Sequence, residues 1–461
     1  MSATAPAAEA PPFPARAGLP DPPGPRGPLA GLRGFRAFHR DPAGALADLR
    51  RAHGDVARFQ VATARLYLLS HPDLVRDVLV THHRNFIKSK ALQRARIILG
   101  SGLLTSEGDF HLRQRRLSQP AFHRDRVAEM AGTMVRHAEA AGARWRAGAE
   151  MDVAREMNRL ALAIAGETLL GAGVEGEADA IGGALDDVLG LFKRLHNPFG
   201  ALLDRLPVPG TLRMRRARRR LDDTILRAIA ARRASAGPRG DLLGLLLAAR
   251  DDEGDGGGMT DAQLRDELLT LFLAGHETTA NALAWTWHLL ALHPDAEARL
   301  HAEVDAALGG GSATADDYTR LPYARAVLAE SMRLYPPAWV VGREPLEDYE
   351  AGGCRIRAGS IVLMSQYVIH RDPRWWDAPD AFRPERWTPE LEASLPRFAY
   401  FPFGAGPRKC IGEGFAWMEG VLALATLARR WRLRHAPGAR VAPKPLITLR
   451  ATGLRMRAEP R

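Results

Sequence analysis

The chain has 461 residues and a formal net charge of +11, and its 46% hydrophobic and 25% charged residues are ordinary for a globular protein with a large core. It contains no apolar run of about 18 residues and no interleaving of aromatic and basic residues, so we expect neither a transmembrane anchor nor nucleic-acid binding. Two cysteines are too few for a disulfide framework, which excludes the small disulfide-stabilised secreted domains and predicts a cytoplasmic protein.

The N-terminal region is predicted to be a tail followed by helical and β elements. Residues 1–25 are rich in Ala and Pro and are expected to be disordered, and they lack the basic start and apolar run of a secretory signal. Residues 26–461 are predicted to form one domain, since no internal repeat occurs. The pattern then predicts a helix over Pro42–His53, a two-stranded hairpin over Ala57–Leu69 and a helix over Asp73–Val80.

Helical periodicity dominates the middle of the chain, from His111 to Ala236, with breaks at Asn197–Gly200 and Pro207–Gly210. The basic run Arg213–Arg220 is interpreted as a solvated helix face, and a membrane-surface or channel role is the weaker alternative. The glycine-rich segment Gly254–Gly258 predicts a flexible loop.

The longest predicted helix begins at Thr260, because Thr260 and Gln263 form a capping box, and it runs to about His293. At 1.5 Å per residue this helix is about 50 Å long, enough to cross a whole domain. The remaining predicted elements are helices over Asp295–Leu308 and Tyr323–Tyr335, a small sheet within Val340–His370, irregular structure over Asp377–Phe403 and a last helix after Cys410 that includes Trp431. The predicted fold class is therefore mainly α with a minor β part.

The segment FPFGAGPRKCIG, from Phe401 to Gly412, contains Cys410 just before the last predicted helix. Its glycines allow close approach to a flat ligand, and a helix start with Arg408 and Lys409 favours a thiolate over a thiol. A thiolate in such a place is a nucleophile, with a distant His as base, or a metal ligand. No second Cys or His stands at zinc-finger spacing, and a single thiolate suits haem iron.

The spacing Phe403-x-x-Gly406-x-Arg408-x-Cys410-x-Gly412 closely resembles the haem-binding signature of the cytochrome P-450 superfamily. The resemblance covers nearly the whole chain. It implies that family's fold, in which a long central helix lies over the haem beside a small β-sheet subdomain. It also implies that Cys410 ligates the iron of haem b and that Phe403, Arg408 and Gly412 contact the cofactor.

The long helix contains the segment AGHETT at residues 274–279, which places an acid beside an alcohol. The Thr278 hydroxyl can bond the carbonyl of Ala274 and produce a local bulge, as is common at functional sites. A helix with polar residues on its outer face is the alternative, but this helix is apolar nearly all round and should be buried. The segment resembles the family's oxygen-activation groove, which implies that Thr278 holds water or the oxygen being activated and that Glu277 relays protons from solvent.

Glu330 and Arg333 are three residues apart and share a helix face. Alone, such a pair is a weak signal, and an exposed pair contributes less than about 1 kcal/mol. The segments Leu334–Pro337 and Phe382–Trp387 strengthen the signal because they resemble the family's pattern. That resemblance implies a structural triad of Glu330, Arg333 and Arg386, buried beneath the haem.

The resemblance also implies cations for the two haem propionates, and arginine suits carboxylates because its fork is bidentate. His111 and Arg115 lie on one helical face, and Arg343 and Arg408 are the other candidates. For Arg115 the alternative is an ordinary solvated side chain in an Arg-rich stretch.

The substrate cavity of the family implies three lining regions here, at about Phe86–Leu104, Phe192–Leu206 and Pro337–Val341. The apolar residues expected to line it are Ile97, Ile98, Leu99, Leu191, Phe192, Phe199, Trp339 and Val340. An apolar pocket predicts an apolar small-molecule substrate, which could be terpenoid, fatty-acid-like or polyketide.

The sequence thus predicts a monomeric haem-thiolate monooxygenase that activates dioxygen and inserts one oxygen atom into this substrate. The chain ends 51 residues after Cys410, too few for a fused reductase. Electrons are therefore expected from NAD(P)H, indirectly, through a separate acidic ferredoxin or flavodoxin and its reductase. Three alternatives stay open, namely a peroxide-dependent or isomerising haem-thiolate enzyme, a non-catalytic haem sensor or carrier, and a haem-free cysteine enzyme.

Overall fold

The computed structural model describes residues 18–27, 29–61, 64–171, 209–234, 240–254 and 256–461. The α-helices in this part of the chain span Ala30–Arg40, Pro42–His53, Pro72–Arg76, Lys90–Arg94, Arg96–Leu99, Gly108–Ser118, Arg124–Glu129, Ala131–Arg144, Val153–Leu170, Pro209–Ala234, Leu242–Ala248, Asp261–Leu292, Pro294–Leu308, Pro322–Leu334, Gln366–Ile369, Pro389–Ser394 and Glu413–Ala428. Short 3-10 turns span His83–Asn85, Gln119–Phe122, Asp316–Arg320, Pro384–Arg386 and Gly406–Arg408, and a π-helical turn spans Asp77–Thr81.

The strands of the described residues form small sheets. They are β1 Val56–Val61, β2 Ala64–Leu69, β3 Phe86–Lys88, β4 Glu150–Asp152, β5 Val341–Pro345, β6 Tyr349–Ala351, β7 Cys354–Ile356, β8 Ile361–Met364, β9 Trp431–His435, β10 Ala442–Pro445, β11 Leu449–Thr452 and β12 Arg455–Pro460. The largest sheet has the order β1-β2-β8-β5-β3, in which β2 and β8 are parallel and the other neighbours antiparallel. The smaller sheets are β4-β12-β9, β10-β11 and β6-β7. The fold is mainly α with a minor β part, as predicted.

The helix Asp261–Leu292, here called the central helix, is buried on nearly all its faces because its residues are apolar all round. The predicted capping box is confirmed: the Thr260 Oγ1 accepts from the Gln263 backbone N–H at 3.2 Å, and the Gln263 Oε1 accepts from the Thr260 backbone N–H at 2.9 Å. Its Trp285 and Trp287 are among the most deeply buried side chains of the core. Among the described residues, no helix has both the length and the apolar character needed to cross a bilayer.

Two element predictions need correction. The helix expected over Asp73–Val80 is α-helical only to Arg76 and continues as the π-helical turn Asp77–Thr81. The last helix, here called the final helix, begins at Glu413 and ends at Ala428, so Trp431 lies in β9. Trp431 leaves the helix because its indole N–H donates to the carbonyl of Gly142 at 3.0 Å and its backbone pairs with β12.

Part of the segment predicted to be a disordered tail contacts the fold. Residues 1–17 lie outside the described part of the chain, but residues 18–25 lie against the fold. The Pro23 carbonyl accepts a hydrogen bond from the Arg58 N–H at 2.8 Å, and a Cβ added at Gly24 would lie 1.9 Å from the Arg58 carbonyl oxygen. Only glycine allows so close an approach to β1.

Candidate active site

A cavity of about 1860 Å³, here called the central cavity, lies between the central helix, the start of the final helix and the five-stranded sheet. Ala274, Gly275 and Thr278 line one side of it, and Cys410 with Phe403 lines another. The structure therefore brings the acid–alcohol segment and the cysteine loop, about 130 residues apart in the chain, to the wall of one cavity.

The cysteine loop owes its shape to two glycines with left-handed backbone, Gly404 at φ 70° and Gly406 at φ 65°. A Cβ at Gly406 would lie 1.9 Å from the carbonyl oxygen of Leu79, in the π-helical turn against which the loop packs. The Cys410 backbone N–H donates to the Phe403 carbonyl at 2.9 Å, which closes the loop below the sulfur. These contacts present the cysteine side chain to the central cavity.

The Cys410 side chain is exposed to the central cavity, although many protein atoms surround the sulfur. Burial raises the pKa of its thiol to about 11, although the hydrogen bond from the Gly412 backbone lowers it, as do Arg115 and Lys409 to a smaller extent. The helix start and Lys409 thus favour the thiolate, as the sequence predicts, but burial opposes it more strongly. A metal ion bound at the sulfur would add the positive charge that favours the thiolate.

A group of cations faces the cavity from the sheet side. Lys88 in β3 and Arg343 in β5 are register partners, so their side chains stand side by side. Burial and the neighbouring Arg408 lower the pKa of Arg343 to about 10. Burial, Arg343 and Arg408 together hold the pKa of Lys88 well below its usual range. Such crowding of buried like charges is unfavourable unless an anion neutralises it.

Glu107 is a carboxylate beside these cations, and part of its capacity to accept hydrogen bonds is already used. It pairs with Arg408 and also accepts from the Lys88 backbone N–H at 2.7 Å, while Arg408 donates to the Ser106 carbonyl at 2.7 Å. Arg408 is thus directed toward Glu107 and not toward the sulfur, contrary to the thiolate argument from the sequence. The sequence analysis missed Lys88. Its signal in the sequence is that a charged residue follows the apolar pair Phe86-Ile87 in the region assigned to the cavity wall.

His111 and Arg115 contact the backbone of the cysteine loop. The His111 Nε2 lies 3.5 Å from the Pro407 carbonyl oxygen, and Arg115 donates to the Lys409 carbonyl at 2.6 Å. Burial, with Arg408 nearby, lowers the pKa of His111 to about 3, so the ring is neutral at neutral pH. His111 can donate a hydrogen bond to a carboxylate but adds no charge.

These residues fit a haem group. One cysteine faces the cavity and can serve as the ligand of the iron. The buried cations on the sheet side outnumber the carboxylates paired with them, so they can bind the two propionates. Among the described residues, no cluster of three or more His, Cys, Asp or Glu side chains offers a competing metal site.

On the central helix, the Thr278 hydroxyl donates to the Ala274 carbonyl at 2.6 Å, the backbone bond expected from the sequence. The expected bulge is absent: residues 274–279 are α-helical throughout. A Cβ at Gly275 would meet no atom within 4 Å, so this glycine leaves open space beside the hydroxyl. Ala274 and Thr278 both face the cavity.

Glu277 is buried, with 2% of its surface exposed, and is paired with a distant part of the chain. Its Oε1 accepts from the Thr448 hydroxyl and from the Arg450 Nε, each at 2.6 Å. Both partners come from the hairpin β10–β11 and its turn, here called the C-terminal hairpin. The sequence analysis missed Thr448 and Arg450, because no local pattern relates residues more than 170 positions apart.

The predicted triad residues lie together away from solvent. Glu330 and Arg333 are fully buried and paired at 2.8 and 2.9 Å, and Arg386 donates to the Glu330 Oε1 at 3.0 Å. The backbone N–H of Arg383 and the indole N–H of Trp387 also donate to this carboxylate, both at 3.0 Å. Five donors thus converge on one side chain.

The predicted cavity wall is partly corrected. Trp339 and Val340 line the cavity, whereas Ile97 is exposed and Ile98 and Leu99 belong to the core. Leu191, Phe192 and Phe199 lie outside the described residues. The apolar side chains that line the cavity from the expected 86–104 region are Leu92, Leu103 and Leu104.

Comparison with known proteins gives consistent matches. The family model described as Cytochrome P450 matches residues 22–454. Cyclooctatin synthase of Streptomyces melanosporofaciens is 44% identical over 425 residues, and cyclooctat-9-en-7-ol 5-monooxygenase of the same organism is 39% identical over 424, each match covering 92% of both chains. The crystal structure of the cytochrome P450DA haem domain matches with a TM-score of 0.86 at 27% identity, covering 96% of this chain and 98% of that one.

Proposed function

Because this chain belongs to the cytochrome P450 family and is a haem-thiolate monooxygenase, we propose that Cys410 is its iron ligand and that its substrate is an apolar terpenoid. The observation that carries the assignment of the site is the central cavity, which Cys410 and Thr278 line together. Among terpenoid, fatty-acid-like and polyketide substrates, the two named relatives favour the terpenoid. The apolar wall that includes Leu103, Trp339 and Val340 is consistent with that choice.

Haem bound through a thiolate supplies the site at which dioxygen is reduced and one of its atoms is transferred to the substrate. The chain's own residues orient the reactants and deliver protons. The Thr278 hydroxyl, already donating to Ala274, can accept a hydrogen bond from a cavity ligand or rotate to donate one. Glu277, the preceding residue, is the acid that takes protons from water and passes them toward the cavity.

We further propose that electrons come from NAD(P)H through a separate acidic ferredoxin or flavodoxin with its reductase. The net charge of +11 supports an acidic partner by electrostatic attraction. A substrate screen by spin-state shift, followed by reductase-driven turnover and product identification, tests the proposal. If hydrogen peroxide alone sustains turnover better than the ferredoxin–reductase system does, the peroxide-dependent alternative replaces it.

Replacing Thr278 with Ala is expected to keep haem content and substrate affinity but to lower the product formed per NAD(P)H by about tenfold. The hydroxyl faces the cavity, so its loss removes a hydrogen bond to ligands there and leaves the helix backbone intact. The measurement compares NAD(P)H consumed, product formed and hydrogen peroxide released. Thr278→Ser keeps the hydroxyl and should couple nearly as well as the wild type. Unchanged coupling in Thr278→Ala would remove this residue from the mechanism.

Five side chains that face the central cavity are proposed to hold the haem propionates. They are Arg343, Lys88, Arg408, Arg115 and His111. Replacing Arg343 with Gln is then expected to speed haem loss about tenfold, which equals about 1.4 kcal/mol of binding free energy. Transfer of haem to apomyoglobin measures this rate without any turnover.

Two controls accompany the Arg343 variant. Haem dimethyl ester has no propionate charges, so with it the two proteins should lose haem at similar rates. Arg457→Gln, in an exposed pair with Glu150, should not change the rate. Equal haem loss from wild type and Arg343→Gln with ordinary haem would contradict this assignment.

A further inference from the structure

The C-terminal hairpin contacts the central cavity and Glu277 at once. Its turn and flanks, residues 443–447, line the cavity. The next residues, Thr448 and Arg450, donate to the Glu277 carboxylate. The hairpin is anchored to the cavity wall, since the Leu449 N–H donates to the Pro337 carbonyl at 2.9 Å. One structural unit therefore borders the substrate space and fixes the acid of the central helix.

The hydrogen bonds around Glu277 fix the position of its carboxyl group. The Asn281 side-chain N–H₂ donates to the Thr448 hydroxyl at 3.1 Å and to the Glu277 backbone carbonyl at 2.9 Å. The Thr448 hydroxyl accepts from Asn281, so its own proton is directed to the Glu277 Oε1. That same oxygen accepts from the Arg450 Nε at 2.6 Å. Two donors on one oxygen hold the carboxyl group in a single orientation, and the bond from the guanidinium is the stronger of the two.

Arg450 is less deeply buried than this carboxylate and lines the central cavity with it. The Glu277 side chain is 3% exposed and the Arg450 side chain is 31% exposed. A carboxylate at that depth is strongly disfavoured unless a cation compensates its charge. The guanidinium keeps its proton at any working pH, so Arg450 cannot itself pass protons on. Its contribution must be to the position of Glu277.

We propose that Arg450 is a positioning residue for proton delivery: it holds the Glu277 carboxyl group in one place and orientation beside the central cavity, with Thr448 as the second donor. This inference rests on the proposed function of Glu277 as the acid of the monooxygenase. Each coupled turnover consumes one dioxygen, two electrons from NAD(P)H and two protons, and it yields the oxygenated product and one water. When protons are delivered wrongly, the dioxygen takes up the same two electrons and two protons and leaves as hydrogen peroxide, and the substrate remains unchanged.

A double-mutant cycle tests this role. In the wild-type background, Arg450→Gln is expected to lower product per NAD(P)H by about five- to tenfold and to raise the solvent deuterium isotope effect on product formation. Arg450→Lys keeps the charge and should recover most of the coupling. In the Glu277→Gln background, Arg450→Gln should change coupling by less than about 1.5-fold, because the group it positions is gone.

The controls separate positioning from folding. Arg455→Gln, in the adjoining strand β12 and in an exposed pair with Glu150 at 2.9 Å, should couple like the wild type. Haem content and substrate affinity are measured for every variant. If Arg450→Gln does not load haem, Thr448→Val removes the other donor to the same oxygen and should show a smaller loss that also vanishes in the Glu277→Gln background.

Equal losses of coupling in the wild-type and Glu277→Gln backgrounds would overturn the inference, and so would full coupling in Arg450→Gln. Failure of the proposed function would give a different result. The wild type itself would then give no product with the ferredoxin–reductase system, whatever residue stands at position 450.

Discussion

Replacing Cys410 with Ser is expected to abolish the strongly red-shifted Soret band that sulfur-ligated ferrous haem gives with carbon monoxide. Serine lacks the polarisable sulfur and its hydroxyl ionises far less readily than a thiol, so it cannot replace the thiolate. The loop itself should persist, because the hydrogen bond from residue 410 to the Phe403 carbonyl uses only backbone atoms. Monooxygenase turnover should fall at least about a thousandfold, or about 4 kcal/mol in activation free energy.

The other cysteine provides the matched control for this spectrum. Cys354 lies in β7, in a hairpin with β6, and is not among the cavity-lining residues of the described chain. Cys354→Ser should therefore keep both the band and the turnover. A fully haem-loaded Cys410→Ser protein that still gives the red-shifted band would refute the ligand assignment. A colourless wild-type protein would instead favour the haem-free cysteine enzyme.

Replacing Glu330 with Gln is expected to lower the free energy of unfolding by about 3–5 kcal/mol. The change removes the negative charge that compensates two arginines, one of them fully buried. Arg333 would keep its bonds to the carbonyls of His370, Pro379 and Ala381, but its charge would be uncompensated. Urea unfolding of the haem-loaded protein, followed by the Soret band, measures the shift in the unfolding midpoint.

Glu129→Gln is the matched control for the Glu330 variant. Glu129 pairs with Arg126 three residues earlier, as Glu330 pairs with Arg333 at the same spacing, but both side chains of the control pair are about half exposed. Its loss should change stability by less than about 1 kcal/mol. Equal midpoints for the two variants would contradict a buried structural triad. A Glu330→Gln protein that is stable but inactive would assign the residue to catalysis.

Local signals in the sequence were sufficient for much of the fold. The helix Pro42–His53 was predicted with its observed bounds, since proline at a helix start and glycine just beyond its end act on the nearest backbone. The capping box at Thr260 and the bond from Thr278 to Ala274 were also predictable, because they join residues three or four positions apart. The expected bulge at 274–279 is absent, since one side-chain hydrogen bond did not outweigh the packing around the central helix.

The sequence by itself determined the candidate residues, namely a cysteine in a glycine-rich loop and an acid beside an alcohol for the active site, and an E-x-x-R pair for the structural triad. Only the tertiary structure decided how they are paired. It joined Glu277 to Arg450, turned Arg408 toward Glu107, and placed Lys88 beside Arg343 on neighbouring strands. Such pairings depend on how distant segments cross in space, and the electrostatic energy of a buried charge depends on every neighbour that the fold brings to it.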